Sequence, residues 1–266
     1  MWRVCALFYR EFFPFASQAA TEWKPDNGYI QVFGRKMSHL CSTRSKILWS
    51  GIALTIAWLC HGSALAIERS DILLDIVNHC VDPAQANYCT QCRAPRNDVA
   101  CGAPLDCKKS TEVWALNASY TAIRDIKMCG CPASFVHGLA LPINTVRGVE
   151  DPKRPDGIWQ FAWDVAASRI ETESLALVVN PQFHRSQNQL HVHLLRLSKD
   201  ARQQLAKHAP SYVSHLDQVW ASAAQSASAK GLTDYGVLVA QRGPKDYLVV
   251  VTAESPEDAF TEWRCE

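Results

Sequence analysis

Eight of the eleven cysteines fall after residue 66, and five of them crowd together as Cys80, Cys89, Cys92, Cys101 and Cys107. The other three are Cys129, Cys131 and Cys265. Such a set constrains the backbone more than any periodicity does, because it must be cross-linked, metal-bound or reduced. Cys89-x-x-Cys92 with Cys101 and Cys107 has a spacing that suits a tetrahedral zinc site in a reducing compartment. The same cysteines in an exported chain form disulfides, whose connectivity the sequence leaves open.

The segment before them bears on the compartment. Ile47 to Cys60 reads ILWSGIALTIAWLC, without a charge, after Arg44 and Lys46 and before Ser63-Ala64-Leu65-Ala66. A basic start, an apolar stretch and a small-x-small site make a secretory signal, with cleavage expected after Ala66. Read on to Ile67, the run nears the length of a membrane span, so a retained anchor is the other reading. Met37 would begin a signal of ordinary length, which makes residues 1–36 an expected over-extended start and 37–66 the signal peptide or N-terminal anchor. Export across the inner membrane follows, to a periplasmic or inner-membrane-anchored protein, and disulfides are favoured over zinc.

Residues 67–266 are expected to form a single domain with a Cys-rich insert at 80–110. Ser70 can cap a helix through Val77, whose apolar positions 72, 73, 76 and 77 share one face. Strands are expected at 112–117, 119–126, 135–143, 175–179 and 189–197. Helices are expected at 158–170, after Ser198, and at 218–230. Residues 235–241 and 246–252 read as a hairpin joined by Arg242-Gly243-Pro244-Lys245. Mixed elements with few βαβ alternations predict an α+β fold, mainly an antiparallel sheet with flanking helices.

Charge excludes one class of partner. The first 66 residues hold seven of the 27 basic and three of the 26 acidic side chains. That leaves 20 against 23 downstream, a net −3, with no electrostatic footprint for nucleic acid.

Chemistry concentrates in Gln189-Leu190-His191-Val192-His193-Leu194-Leu195. On a strand, Gln189, His191 and His193 share one face and the alternate leucine and valine residues the other. Just upstream, Arg185-Ser186-Gln187-Asn188 supplies a guanidinium, a hydroxyl and two amides, groups that bind phosphate oxygens. A neutral imidazole can attack phosphorus if one ring nitrogen is free and the other is oriented by a partner, and donors must meet the charge on the phosphoryl oxygens. This row supplies both without a metal or other cofactor.

The motif resembles the histidine triad, H-φ-H-φ-H-φ-φ, of nucleotidyl hydrolases and transferases. With Val179-Asn180 and Arg185 to His193, it is similar to the CDP-diacylglycerol pyrophosphatase branch of that superfamily. The LALPI stretch with its downstream Gly-x-Glu-x-Pro (139–152), the Trp159–Trp163 helix and the Cys near the C-terminus add to the likeness, which covers about residues 70–266. The resemblance implies a histidine triad-like fold and hydrolysis of CDP-diacylglycerol, a lipid nucleotide, to CMP and phosphatidate at a membrane surface. It makes His191 the nucleophile and has His193 donate to a phosphate or leaving oxygen. Ser186 takes the place of a phosphate-contacting hydroxyl, and Asn180 falls near a nucleotide contact. Arg185 and Asn188 join them as substrate-binding candidates. Gln189 stands where the first triad histidine belongs; it cannot exchange a proton at neutral pH, so it can only orient. The family's early cysteine pair implies Cys80–Cys107.

Three other readings compete. A soluble nucleotide would suit the same pyrophosphatase chemistry. A His-x-His pair also suits zinc, iron or copper, although the phosphate-binding run beside it favours nucleophilic chemistry. A disulfide-stapled binding module without catalysis would tolerate loss of His191. His137, His184, His208 and His215 read as surface or core residues, with His184 set apart by its place in the loop before the site. Trp159 and Trp163, four apart, read as core.

Overall fold

The computed structural model describes residues 70–102, 106–244 and 246–265. The expected over-extended start and the signal or anchor segment lie outside them. Helix α1 (Ile72–His79) and the single turn α2 (Tyr88–Gln91) precede strands β1 (Val113–Leu116), β2 (Tyr120–Arg124) and β3 (Gly138–Pro142). Then come α3 (Ile158–Ala167), β4 (Leu175–Val179), β5 (Val192–Arg196), α4 (Ala201–Lys207), β6 (Ser211–Val213) and α5 (Val219–Ala229). The hairpin β7 (Gly236–Gly243) and β8 (Asp246–Thr252) leads into α6 (Pro256–Phe260). The eight strands form one sheet in the order β1-β2-β3-β5-β4-β7-β8-β6, and every pair is antiparallel. The expected α+β class with an antiparallel sheet is what the chain adopts.

Continuous apolar runs such as LALVV in β4 form strands buried on both faces. On one face Leu175, Leu177, Leu190, Val192, Leu194, Val237 and Val239 pack against α3 and α5. Trp159 of α3 meets Trp220 of α5 with ring centroids 4.7 Å apart, so the expected core tryptophans are core. The other face is apolar in two patches. Ala176, Val178, Leu238 and Val250 lie under Leu205 of α4 and Phe260 of α6. Ile123, Leu139 and Leu141 lie under Leu73 and Val77 of α1. His193 sits at the seam, paired across the sheet with Leu139 on one side and Val178 on the other.

Several boundaries differ from expectation. Asp71, not Ser70, occupies the N-cap position of α1, while the Ser70 hydroxyl accepts from the Ile72 amide. Asp200 rather than Ser198 precedes α4. The histidine strand starts at Val192, three residues late, because Gln189 bridges Arg147 and its side chain is drawn off the ladder. The disulfides are Cys80–Cys92, Cys89–Cys101, Cys107–Cys129 and Cys131–Cys265. They replace the zinc reading, and Cys80–Cys107 is corrected. Tyr88 accounts for that correction: its hydroxyl donates to the Cys80 carbonyl and accepts from the Arg96 amide, folding the insert back so that Cys92 meets Cys80. Among the described residues no helix is long and apolar enough to cross a membrane.

Candidate active site

His191 lies one residue before β5. Its Nδ1 is 2.8 Å from the Gln189 carbonyl oxygen, which can only accept, so Nδ1 carries the proton and Nε2 the lone pair. The orienting partner expected for a nucleophile is thus a backbone carbonyl two residues upstream. Burial holds the His191 pKa below the usual imidazole value, while the Gln189 carbonyl, Glu257 and Asp125 act against the shift. The ring stays neutral at pH 7 and available for attack.

The Gln189 side chain fastens the loop after β3. Its Oε1 accepts from the Val146 amide, and its Nε2 donates to the Pro142 and Asn144 carbonyls. Its buried amide is thus satisfied by protein groups, although it was a candidate substrate contact. Arg185 is not a free phosphate donor, because its guanidinium pairs with both Glu150 carboxylate oxygens and its Nε donates to the Gln187 carbonyl. The turn at Gly148, with φ of +28°, admits this clamp; a Cβ there would lie 1.9 Å from Arg185 Nη1. Asn188 donates to Asp71 and ties the loop to the start of α1. Ser186 is exposed on that loop, and its carbonyl accepts from the Ser70 amide. Asn180 is buried at the end of β4. Its Nδ2 donates to Glu257 at 2.6 Å and its Oδ1 accepts from the Ser255 hydroxyl. Of the expected substrate contacts, then, Arg185, Asn188 and Asn180 are engaged by protein partners.

His193 is surrounded by groups that the sequence did not single out. His137, just before β3, is fully buried and places Nε2 3.0 Å from His193 Nδ1; its own Nδ1 is 3.0 Å from the Trp263 carbonyl. Asp125 Oδ2 and Glu257 Oε1 each lie 3.6 Å from His137 Nε2. Glu257 Oε2 is 3.5 Å from His193 Nε2, which makes no hydrogen bond among the described residues. The Lys127 ammonium sits 2.7 Å from Glu257 Oε1. Helix α6 presents Glu257 because Ser255 caps it and Pro256 packs on Gly236, where a Cβ would meet the Pro256 ring at 2.6 Å. His137, Asp125, Glu257 and Trp263 are remote in sequence and meet only through strand pairing and the C-terminal tail. The one available signal was that Asp125 and His137, like His191, fall within strands expected from the sequence. His184, His208 and His215 are exposed, as read.

Electrostatics keep this cluster mostly neutral. Burial, reinforced by Lys127, pushes His137 down to about 4. Burial and then the neighbouring His191, His137 and Lys127 hold His193 well below its ordinary value. Asp125 is raised by burial. Asp125, His137 and His193 bring donor atoms within 4.8 Å of one another, the kind of grouping that suits a divalent ion. His191 is not part of that grouping, so it is not the His-x-His pair considered from sequence. A cation there would have to break the His137–His193 bond and sit beside the Lys127 ammonium. A surface cleft of about 600 Å³, lined by Phe135, Arg196, Trp263 and Arg264, opens beside the tail that supplies the Trp263 carbonyl.

An imidazole with a fixed tautomer, a second imidazole against it and an exposed serine loop are the parts of a phosphoryl-transfer hydrolase. A family model described as CDP-diacylglycerol pyrophosphatase matches residues 68–230, more than half of the chain. The chain belongs to the CDP-diacylglycerol pyrophosphatase family, whose members hydrolyse the pyrophosphate bond of that lipid nucleotide. No curated protein gives a significant match. The matched span ends before β7, so Glu257 and Trp263 lie beyond it.

Proposed function

We propose that this protein cleaves CDP-diacylglycerol through a nucleotidyl-histidine on His191, as a histidine triad-like enzyme exported to the membrane surface. The observation that carries this reading is the Nδ1 bond of His191 to the Gln189 carbonyl, which leaves Nε2 as a bare lone pair in a neutral ring. In the first step Nε2 attacks the CMP-side phosphorus. The N–P bond forms, the bridging P–O bond breaks, and phosphatidate leaves with the electron pair. In the second step a water oxygen attacks the same phosphorus, the N–P electrons return to Nε2, and CMP departs. One water proton must be taken up. The His193 ring, with its centroid 4.8 Å from that of His191, is assigned to receive it. Ser186, exposed on the preceding loop, is assigned to the phosphate oxygens.

The N-terminal apolar run Ile47–Cys60 supports delivery of the enzyme to the membrane that holds its substrate.

Hydrolysis in ¹⁸O-labelled water tests the order of bond breaking. The label is expected in CMP and not in phosphatidate, because water meets phosphorus only after phosphatidate has left. Label in phosphatidate would place the attack on the other phosphorus and remove His191 as the nucleotidyl carrier.

A further inference from the structure

The loop that carries Ser186 is fastened to the start of the described chain. The Ser70 amide donates to the Ser186 carbonyl at 2.8 Å, and the Asn188 amide donates to the Ser70 carbonyl at 3.0 Å. Ser70 and Gln187 thereby form a parallel bridge. Two large apolar side chains flank this contact, and the core uses neither. Phe183, shortly before Ser186, is 73% exposed, the highest value among the exposed large apolar side chains of the described residues. Ile72 opens α1 and is 59% exposed, while its neighbours Leu73 and Val77 cover the sheet. Both sit on held backbone. The Asp234 carboxylate accepts from the Gln182 and Phe183 amides, and the His184 amide closes the turn onto the Pro181 carbonyl. The Ile72 amide donates to the Ser70 hydroxyl. Apolar surface fixed in this way loses free energy to water unless an apolar phase covers it.

The sequence points to what covers it. The apolar run from Ile47 reads on to Ile67, just before Ser70. The residues from Ile67 to Ser70 reach at most about 10 Å even when fully extended. Kept as an anchor or cut after Ala66, the run therefore joins the domain beside Ser186. We propose that Phe183 and Ile72 form a lip that inserts into the acyl boundary of a lipid bilayer and sets the Ser186 loop at headgroup level. A lipid nucleotide can then present its pyrophosphate to the site while its acyl chains stay in the bilayer. The hold is apolar rather than electrostatic. Residues 67–266 carry 20 basic against 23 acidic side chains, which gives an anionic surface no net attraction. Docking at the lip is therefore expected to persist at high salt. Tyr212, also exposed, lies on the edge strand β6 and serves as the contrast.

This inference rests on the membrane-surface reading above, yet it is readable without turnover. The test is ¹⁹F NMR of the full chain on phosphatidylcholine nanodiscs, with fluorophenylalanine in place of Phe183 or, as the control, of Tyr212. A nitroxide carried on a lipid acyl chain should broaden the signal at 183 and leave that at 212 sharp. A water-soluble nitroxide should do the reverse, and raised salt should change neither result. In CMP release from CDP-diacylglycerol held in phosphatidylcholine vesicles, Phe183→Ser should lower kcat/KM about tenfold, the scale set by one apolar side chain withdrawn from lipid. Ile72→Ser should act in the same direction, and Tyr212→Ser should not. All three should match the wild type on a short-chain, water-soluble CDP-diacylglycerol. Broadening at 183 by the soluble agent, or by neither agent, would overturn the proposal. So would an equal loss in Phe183→Ser on the vesicle and the soluble substrate. If lipid broadens 183 while the wild type releases no CMP from either substrate, the lip stands and the hydrolase reading fails.

Discussion

Two regions of different construction meet at the catalytic face. One is the loop and strand from Asn180 to His193, where backbone groups seat the two histidines: the Gln189 carbonyl orients His191, and sheet pairing with Leu139 and Val178 seats His193. The other is the C-terminal tail from Ser255 to Cys265. A five-residue helix, the Glu257–Lys127 pair and the Cys131–Cys265 bond hold it in place. In the proposed mechanism the strand region carries the groups that meet phosphorus, and the tail carries carboxylate and carbonyl groups that surround them. The difference teaches that damage to the first should abolish chemistry, whereas damage to the second should weaken or re-tune it.

Removing the nucleophile gives the largest effect. His191→Ala is expected to lower CMP release by about 10⁴-fold or more in a variant that still melts cooperatively, since loss of a covalent nucleophile removes the whole two-step path. His193→Ala should cost about 10²- to 10³-fold, the range of a lost proton acceptor. Steady-state assays of both variants beside thermal melts check this ranking, and a His191→Ala enzyme losing less than His193→Ala would invert the roles.

The tail should answer mainly in stability. Glu257→Ala takes the shared carboxylate from the buried Asn180 amide and from Lys127, which is partly exposed and can turn to water, at a cost of about 1–3 kcal/mol in denaturant unfolding. Replacing Cys131 and Cys265 together by serine should cost about 2–4 kcal/mol and also shift the pH–kcat profile, because Trp263 loses its anchor. The matching double change at Cys80 and Cys92 should lower stability and leave that profile untouched. Identical profiles in the two double variants would remove the distinction between the tail and the insert.

A smaller effect comes from acid. His137 and His193 are buried neutral, so the folded chain binds fewer protons than the unfolded one between about pH 6.5, the ordinary imidazole value, and about 4 for His137. Stability therefore falls as pH drops through that window and loses no more from His137 below it. Asp125, raised by burial, acts in the opposite sense. Melting curves from pH 7 to pH 4.5 should show a shallower decline in His137→Gln than in the wild type.

Much of the strand region was legible in the sequence because it is local. Alternation put Leu190, Val192 and Leu194 on the apolar face and the imidazoles on the other, and the apolar runs marked β3, β4, β7 and β8. The roles of Arg185 and Asn180 were not legible, since Glu150 and Glu257 that engage them lie 35 and 77 residues away. His137 read as a bland core residue for the same reason: its chemistry comes from His193, Asp125, Glu257 and Trp263, which only the folded sheet and tail bring together. The pairing of Cys80 with Cys92 depended on the Tyr88 hydroxyl closing the insert, a contact with no pattern of its own.

The most direct test of the central claim is to look for the covalent intermediate without divalent ions. The full-length enzyme would be mixed with CDP-diacylglycerol in detergent micelles containing EDTA, quenched in alkali within one turnover, and digested for mass spectrometry. The account requires a CMP adduct on the peptide that carries His191, together with CMP release at the rate seen without EDTA. Full turnover with no adduct on His191, or loss of turnover in EDTA, would contradict it.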